Sequence, residues 1–331
     1  MNSAYSYIYR GDLVESRHKA AILIKNSSKK IIFSSDNNHQ YIYPRSAIKI
    51  FQAIPFIKSK ADILYGLNKK HISISCSSHS GESYHIKTLK EWVSKIRLNV
   101  NKLQCGIHNP MNLNASNKLY SSGNKPSELH NNCAGKHLAM ISGCIASNFD
   151  YTNYLDINHP YQIQIKECIE HFMEKKITKK YSAIDGCNAP QYALPLNNIA
   201  NSMINLIHSY NHNAKYSNEL KKLITSIKKY PMLTGGINRF DSDLLKNTNG
   251  RIYAKIGAEG VLLFADLSKK IGGVIKIIDG NGRAIPSIAM KILIKLKLLS
   301  NKEKKMMQKW NNEKIHNFSK TLTGKISAKI D

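Results

Sequence analysis

The chain has 331 residues, of which 42% are hydrophobic, and its 49 Lys and Arg against 22 Asp and Glu give a formal net charge of +27. This composition supplies enough apolar residues for a large core and excludes an intrinsically disordered chain. There is no run of about 18 apolar residues and no basic-then-apolar N-terminal segment, so we expect a cytoplasmic protein without a membrane partner. The six cysteines are too sparse for a disulfide scaffold and predict thiols that are free or metal-bound.

The positive charge comes mainly from lysine, with 42 Lys and 7 Arg. Proteins that recognise phosphates exploit the forked guanidinium of arginine. Lysines spread along the whole chain, together with many Asn and Ile, are typical of an A/T-rich genome. We therefore expect no nucleic-acid partner, and a non-catalytic basic binding protein stays as an alternative.

Apolar runs near both ends of the chain predict strands. Residues 20–35 contain two short apolar runs joined by a polar turn, which is typical of a hairpin. Three β-branched runs between residues 251 and 280, punctuated by glycines, predict further strands of the same sheet. Residues 301–316 are mostly polar and predict a solvated helix end or a connector.

Between these strands the apolar residues recur with a helical period, as they also do after Pro286. In residues 195–212 one helical face is formed by Ile199, Met203, Leu206 and Ile207. The predicted fold class is α+β, with an antiparallel sheet formed by both chain ends and flanked by helices. We expect a single domain over residues 1–331, with a helical portion at about 90–230 inserted between the two parts of the sheet.

Ser46 and Lys49 lie three residues apart in PRSAIKIFQAIP, residues 44–55. In a helix that begins behind Pro44, this spacing puts the hydroxyl and the amine within hydrogen-bonding reach. A lysine kept neutral by burial and by neighbouring positive charge can accept the serine proton and create a nucleophile. The same spacing occurs elsewhere in the chain, so a solvated helical face is the alternative.

The segment SSHSGESYH, residues 77–85, is rich in short hydroxyl side chains, which favour loops and caps. It is either a plain turn or helix cap, or a loop that carries Ser78 into a site. Lys255 precedes Gly257 by two residues, and a strand glycine lets a ligand approach the backbone, although an edge-strand lysine that guards against aggregation fits as well. In chain order these motifs resemble the Ser-x-x-Lys, serine loop and Lys-x-Gly set of serine β-lactamases and penicillin-binding proteins.

Two further segments, HNNCAGKHLAMI (130–141) and IDGCNAPQYALPL (184–196), each place a cysteine among small and polar residues. Structural zinc generally takes four ligands, so two cysteines alone fit two buried free thiols as well as a metal site.

Several segments together resemble, over nearly the full chain, the rhizobial-type (inducible, thermolabile) L-asparaginase family. They are YRGDLVESRH, YPRSAIKIFQAIP, CSSHSGESYH, CGIHNP, HNNCAGKHLAMI, DGCNAPQYALPL, GGINRFD and KIGAEGV. The resemblance implies a serine-β-lactamase/glutaminase-like fold and a homodimer that hydrolyses L-asparagine to L-aspartate and ammonia.

The resemblance also implies roles for individual residues. Ser46 and Lys49 match the first Ser–Lys pair of the family, and Ser78 and Lys255 match the second. Cys133, Lys136 and Cys187 match a Zn²⁺ site of the family that has an unusual lysine ligand. In the family this metal tunes substrate affinity without performing the chemistry. His137 and Asp185 match positions that hold the substrate in the family, and Arg45 adjoins the nucleophile.

The chemistry of these residue types gives a mechanism in which Ser46 attacks the amide carbon while Lys49 accepts its proton. Ser78, relayed to Lys255, then delivers a proton to the departing ammonia. The ammonium of an amino-acid substrate needs an acidic partner, for which Asp185 and Glu82 are the candidates. The alternatives are a glutaminase or another amidohydrolase of serine-β-lactamase-like type.

Overall fold

The structure, a computed structural model, describes residues 2–331. Its strands, numbered in chain order, are β1 (Ala4–Arg10), β2 (Leu13–Asn26), β3 (Ile31–Ser35), β4 (Tyr41–Ile42), β5 (Ser182–Ile184), β6 (Pro190–Tyr192), β7 (Leu194–Pro195), β8 (Ile252–Gly257), β9 (Val261–Asp266), β10 (Ile271–Ile277), β11 (Asn312–His316) and β12 (Leu322–Ile330). The α-helices are α1 (Lys49–Gln52), α2 (Ile54–Lys58), α3 (Ala61–Leu64), α4 (Lys69–Ser75), α5 (Ser83–Lys95), α6 (Leu113–Ser121), α7 (Ala134–Ala146), α8 (Pro160–Met173), α9 (Leu196–Asn211), α10 (Ser217–Lys229), α11 (Phe240–Asn247), α12 (Ile285–Lys295), α13 (Asn301–Met306) and α14 (Gln308–Asn311).

One antiparallel sheet runs through the molecule in the order β11-β12-β1-β2-β10-β9-β8, with β3 paired to the far end of β2. Strands from the first 35 residues therefore lie between strands from the last 80, as expected of a sheet built by both chain ends. The predicted α+β class and antiparallel sheet are confirmed.

The central strand β2 shows why both faces of the sheet are covered. Its Ala21 and Leu23 contribute to a large core shared with the middle helices, whereas Ile22 and Ile24 contribute to a second core under α12. Successive side chains of a strand point to opposite faces. A continuous apolar run therefore indicates a strand that is buried on both sides.

Helix α9 packs on the first face of the sheet, and its predicted apolar residues are all buried: Ile199, Met203, Leu206 and Ile207. Helices occupy most of the chain from α1 to α11, so the helical part begins earlier and ends later than residues 90–230. The polar segment 301–316 is helical only to Asn311 and then forms the edge strand β11. Among the described residues no helix is both long and apolar enough to cross a membrane.

Candidate active site

The segment that carries Ser46 is a tight turn pressed against strand β8. Residues Arg45–Ile48 form a 3-10 helix that continues into α1 at Lys49. A Cβ atom on Gly257 would lie 2.4 Å from the carbonyl oxygen of Pro44 and 3.1 Å from the backbone nitrogen of Ala47. Gly257 therefore leaves space for this turn. The sequence analysis had instead predicted that this glycine lets a ligand approach the backbone.

Arg45 adopts a left-handed backbone conformation, with φ of 53°, immediately before Ser46. Non-glycine residues rarely occupy this region and do so mainly where the surrounding structure holds them there. The guanidinium supplies one such restraint, because its Nε and Nη2 atoms lie 2.8 and 2.6 Å from Oδ1 of Asp185. Asp185 also accepts the backbone N–H of Gly186 at 2.8 Å. Asp185, which was predicted to bind the substrate, is thus paired with Arg45 of the protein itself.

Two buried lysine amines converge on the hydroxyl of Ser78. Lys49 Nζ lies 3.1 Å and Lys255 Nζ 3.0 Å from Ser78 Oγ. Lys49 also donates to the carbonyl oxygen of Ser77, and Lys255 donates to that of Ile256 at 2.8 Å. Both lysines and Ser78 are buried, so three of the four predicted catalytic side chains form one connected cluster.

Ser46 is not hydrogen-bonded to this cluster. It is half-buried, and within residues 2–331 its hydroxyl has no hydrogen-bond partner. The expected hydrogen bond between Ser46 and Lys49 is absent there, and Lys49 contacts Ser78 instead. The three-residue spacing falls on a 3-10 turn followed by a new helix, and not on one regular α-helix.

The loop that carries Ser78 is attached to residues 234–237. The backbone N–H of Ser78 donates to the carbonyl of Thr234 at 2.9 Å, and Ser80 Oγ donates to the carbonyl of Gly235 at 2.8 Å. Gly236 has φ of +127°, and a Cβ there would lie 2.2 Å from Glu82 Oε2. The SSHSGE segment is therefore a loop with a fixed conformation. Its last residue, Glu82, is the N-cap of helix α5.

Glu82 is buried, and its carboxylate is already used inside the protein. It accepts hydrogen bonds from the Tyr84 hydroxyl at 2.7 Å, the Asn112 amide at 3.2 Å and the backbone N–H of Ile237 at 3.2 Å. These contacts join the serine loop to the 234–237 segment. They favour a structural role for Glu82 over the predicted contact with a substrate ammonium.

Lys255 lies beside a buried carboxylate that the sequence analysis did not single out. Its Nζ is 3.6 Å from Oδ2 of Asp241, at the start of α11. Burial is the main cause that lowers the pKa of Lys255 to about 8, Asp241 opposes that shift, and the charges of Lys49 and Arg239 add to it. Lys255 can therefore lose its proton close to neutral pH.

Two thiols and an amine form a second buried group next to Lys49. Cys133 Sγ lies 3.1 Å from Lys49 Nζ, and Cys187 Sγ lies 3.0 Å from Lys136 Nζ. A hydrogen bond from Cys133, with the charge of Lys136, holds the pKa of Cys187 far below its ordinary value, and the same hydrogen bond keeps the pKa of Cys133 raised. Of the two thiols, Cys187 is therefore the one that loses its proton more readily.

This donor set fits a zinc ion. Zn²⁺ prefers thiolate and nitrogen ligands, and the group offers two sulfur atoms and one amine in a buried position. Among the described residues no group of three or more His, Cys, Asp and Glu could hold a metal ion, so a metal at this place would also need the amine of Lys136, as the resemblance implies. All six cysteines are free and buried.

His137, expected to hold the substrate, is fully buried one residue after Lys136. Its Nδ1 lies 2.7 Å from the hydroxyl of Tyr154, and its Nε2 is buried with no hydrogen-bond partner among residues 2–331. Burial lowers the pKa of His137, so its ring is neutral at neutral pH. The neutral ring therefore has one nitrogen without a partner beside the thiol group.

Sequence reasoning missed Asp241, Thr234 and Tyr154, which hold Lys255, Ser78 and His137 respectively. A usable signal existed only for Asp241, because an acidic residue shortly after a Gly-Gly turn fits the first turn of a helix.

A solved structure titled as a putative beta-lactamase from Bacteroides dorei DSM 17855 aligns with 88% of this chain and 93% of that chain, at 10% sequence identity and a TM-score of 0.41. No curated protein matches the chain. The sequence model described as L-asparaginase II matches residues 7–328, nearly the whole chain, which confirms the resemblance found in the sequence. The chain therefore belongs to the L-asparaginase II family and is an amidohydrolase.

Proposed function

We propose that the protein hydrolyses L-asparagine to L-aspartate and ammonia through a serine ester, with Ser46 as nucleophile and a lysine–serine–lysine proton relay. The observation that carries the proposal is the position of Ser78 Oγ, 3.1 Å from Lys49 Nζ and 3.0 Å from Lys255 Nζ. A hydroxyl between two buried amines can accept a proton from one side and pass another on.

In the first half-reaction, Ser46 Oγ forms a bond to the side-chain amide carbon of the substrate, and its proton passes to an unprotonated amine at Lys49. Ser46 suits this role because it is only half-buried and its hydroxyl has no hydrogen-bond partner in the described part of the chain. The restrained, left-handed Arg45 fixes the backbone just before it.

Departure of ammonia requires a proton on the leaving nitrogen. The proton taken from Ser46 passes along Lys49 and Ser78 to an unprotonated Lys255, and Ser78 returns a proton from Lys255 to the leaving nitrogen. The step therefore has no net proton uptake, and the carbon–nitrogen bond breaks to leave an aspartyl ester on Ser46. Water then attacks the ester, and the same amine accepts the water proton, which returns to Ser46 as L-aspartate leaves.

The surroundings of the cluster suit an amino-acid substrate. The guanidinium of Arg45 is a candidate partner for its carboxylate, and Asp185, which contacts Arg45, is a candidate partner for its ammonium. Zn²⁺ bound by Cys133, Lys136 and Cys187 would supply a positive charge that tunes substrate affinity. A homodimer stays a prediction from the resemblance, for which sedimentation of the purified protein is the test.

A second candidate nucleophile is Ser78, because it is the hydroxyl that both amines contact. The two assignments differ in what each substitution removes. With Ser46 as nucleophile, Ser46→Ala abolishes ammonia release, whereas Ser78→Ala weakens only proton transfer and lowers kcat by about 10² to 10⁴-fold. The reverse order of severity would assign the nucleophile to Ser78.

The substrate is tested by the ammonia released from L-asparagine and from L-glutamine at equal concentrations. One additional methylene is worth about 1–3 kcal/mol of discrimination, so we expect kcat/KM for asparagine to exceed that for glutamine by roughly 10 to 200-fold. A preference for glutamine would make the protein a glutaminase. Turnover of a chromogenic β-lactam without amide hydrolysis would contradict both.

A further inference from the structure

Asp241 is a buried carboxylate within the lysine cluster. Its side chain is fully buried, and it is the sole carboxylate in residues 2–331 that forms an ion pair with either Lys49 or Lys255. An uncompensated buried charge is costly, so a cluster with two amines depends on any anion that it contains.

The contacts of Asp241 join the three segments around Lys255. Its Oδ2 accepts the backbone N–H of Ile256 at 3.1 Å, and its Oδ1 accepts that of Ser242 at 3.1 Å. Ser242 Oγ in turn accepts the backbone N–H of Gly236 at 3.2 Å, within the segment that holds the Ser78 loop. Asp241 is therefore fixed relative to both the strand and the loop.

We propose that Asp241 is a positioning residue that sets the protonation state of Lys255 and thereby the pH range in which the Lys49–Ser78–Lys255 relay works. This inference rests on the proposed function. Asp241 does not touch the reacting atoms, and it acts through the amine 3.6 Å away.

The other charges around Lys255 oppose Asp241 or are weaker. Lys49, on α1, and Arg239, just before α11, both disfavour a proton on Lys255, whereas Cys133, just before α7, favours one to a smaller extent than Asp241 does. Burial alone would raise the pKa of Asp241, but the cations of Lys255 and Arg239 and two backbone N–H groups hold it below its ordinary value. Asp241 is thus the anion that keeps the proton on Lys255.

The test is the pH dependence of kcat and of kcat/KM for asparagine hydrolysis by the full-length protein and by Asp241→Asn. Asparagine is nearly isosteric with aspartate and retains an oxygen for the Ile256 N–H, but it removes the negative charge. Because an anion within about 4–6 Å shifts a pKa by roughly 1–3 units, we expect the acidic limb of the profile to move to lower pH by that amount. A lower kcat with the limb in its original place would make Asp241 merely structural and would overturn the proposal.

Asp243→Asn is the matched control, since it removes a carboxylate from the same first helical turn. Asp243 instead contacts Lys309 at 2.8 Å and Trp310 at 3.0 Å, away from the relay. Its variant should keep the wild-type limb. A shift in both variants would mean that any loss of charge from α11 has this effect, which also overturns the proposal.

If Asp241→Asn does not fold, Arg239→Gln gives the opposite test, because it removes a cation that faces Lys255 while Asp241 stays. The acidic limb should then move to higher pH, and an unmoved limb would overturn the proposal.

The wild-type profile separates the two hypotheses: a wild-type protein without asparaginase activity, or without an acidic limb, rejects the proposed function itself. An intact wild-type limb that Asp241→Asn fails to move rejects only the role of Asp241.

Discussion

Lys49 Nζ lies 3.1 Å from Cys133 Sγ, so the amine that contacts Ser78 also contacts the thiol group. The relay and the candidate zinc site are therefore not separate features. Any ligand that changes the state of Cys133 changes one of the hydrogen bonds made by Lys49.

The thiol group should bind up to one Zn²⁺ per chain. Cys187→Ala removes one of the two sulfur ligands of the proposed site, so we expect zinc content to fall by roughly 10-fold or more. Elemental analysis of protein purified without chelator measures this. Cys168→Ala, which removes a buried thiol in α8 outside the group, should retain the metal. Wild-type protein without any bound zinc would contradict the site.

Activity should rise with pH through about 8. The pKa of Lys255 is lowered to about 8, chiefly by burial. Below that pH Lys255 holds its own proton, and above it Lys255 is free to accept, through Ser78, a proton that leaves the Lys49 side of the relay. We therefore expect kcat/KM for asparagine to increase roughly tenfold per pH unit below about pH 8 and then to level off. A profile that falls between pH 7 and 9 would contradict this sign.

Gly257→Ala should damage both stability and catalysis. The new Cβ would lie 2.4 Å from the Pro44 carbonyl oxygen, so the turn that carries Ser46 has to move. Overpacking costs about 1–3 kcal/mol of unfolding free energy, and a displacement of about 1 Å at a reacting group can cost 10²-fold in rate. Urea unfolding and steady-state kinetics measure the two effects. Gly282→Ala, where a Cβ meets nothing within 4 Å, should leave both values near wild type.

Glu82→Ala should mainly reduce stability. The substitution leaves the backbone N–H of Ile237, the Tyr84 hydroxyl and the Asn112 amide without their acceptor. These hydrogen bonds are partly buried, and each lost hydrogen bond costs about 0.5–1.5 kcal/mol. We expect a clear loss of unfolding free energy in chemical denaturation, with Glu91→Ala, a half-buried position on the same helix, close to wild type. A large rise in KM with unchanged stability would instead favour the substrate contact.

The strands that the sequence predicts correctly are those whose apolar side chains are buried on both faces, such as β2 and β9. For the edge strand β11 the sequence predicts a solvated helix end or a connector, because its residues, NEKIH, are mostly exposed and polar. An edge strand leaves the backbone N–H and C=O groups of one edge unpaired, and charged side chains there protect it from pairing with other chains. Its sequence therefore lacks the apolar pattern that identifies a strand.

The residue types of the site are recognisable from the sequence, but their pairing is not. Ser46 and Lys49 are close along the chain, whereas Lys49 and Ser78, which are in contact, are 29 residues apart, and Ser78 and Lys255 are 177 apart. Such contacts depend on how the helices pack against β8, which no local spacing encodes. Asp241 was missed for the same reason, because its partner lies on another element.

The most direct test is to identify the serine that becomes acylated. The protein is mixed with L-asparagine, quenched with acid within one turnover, digested with trypsin and analysed by mass spectrometry. Because Ser46 and Ser78 are separated by several lysines, they fall in different tryptic peptides. We expect the aspartyl ester on the peptide that contains Ser46. An ester on the peptide that contains Ser78 in the wild-type protein would contradict the account.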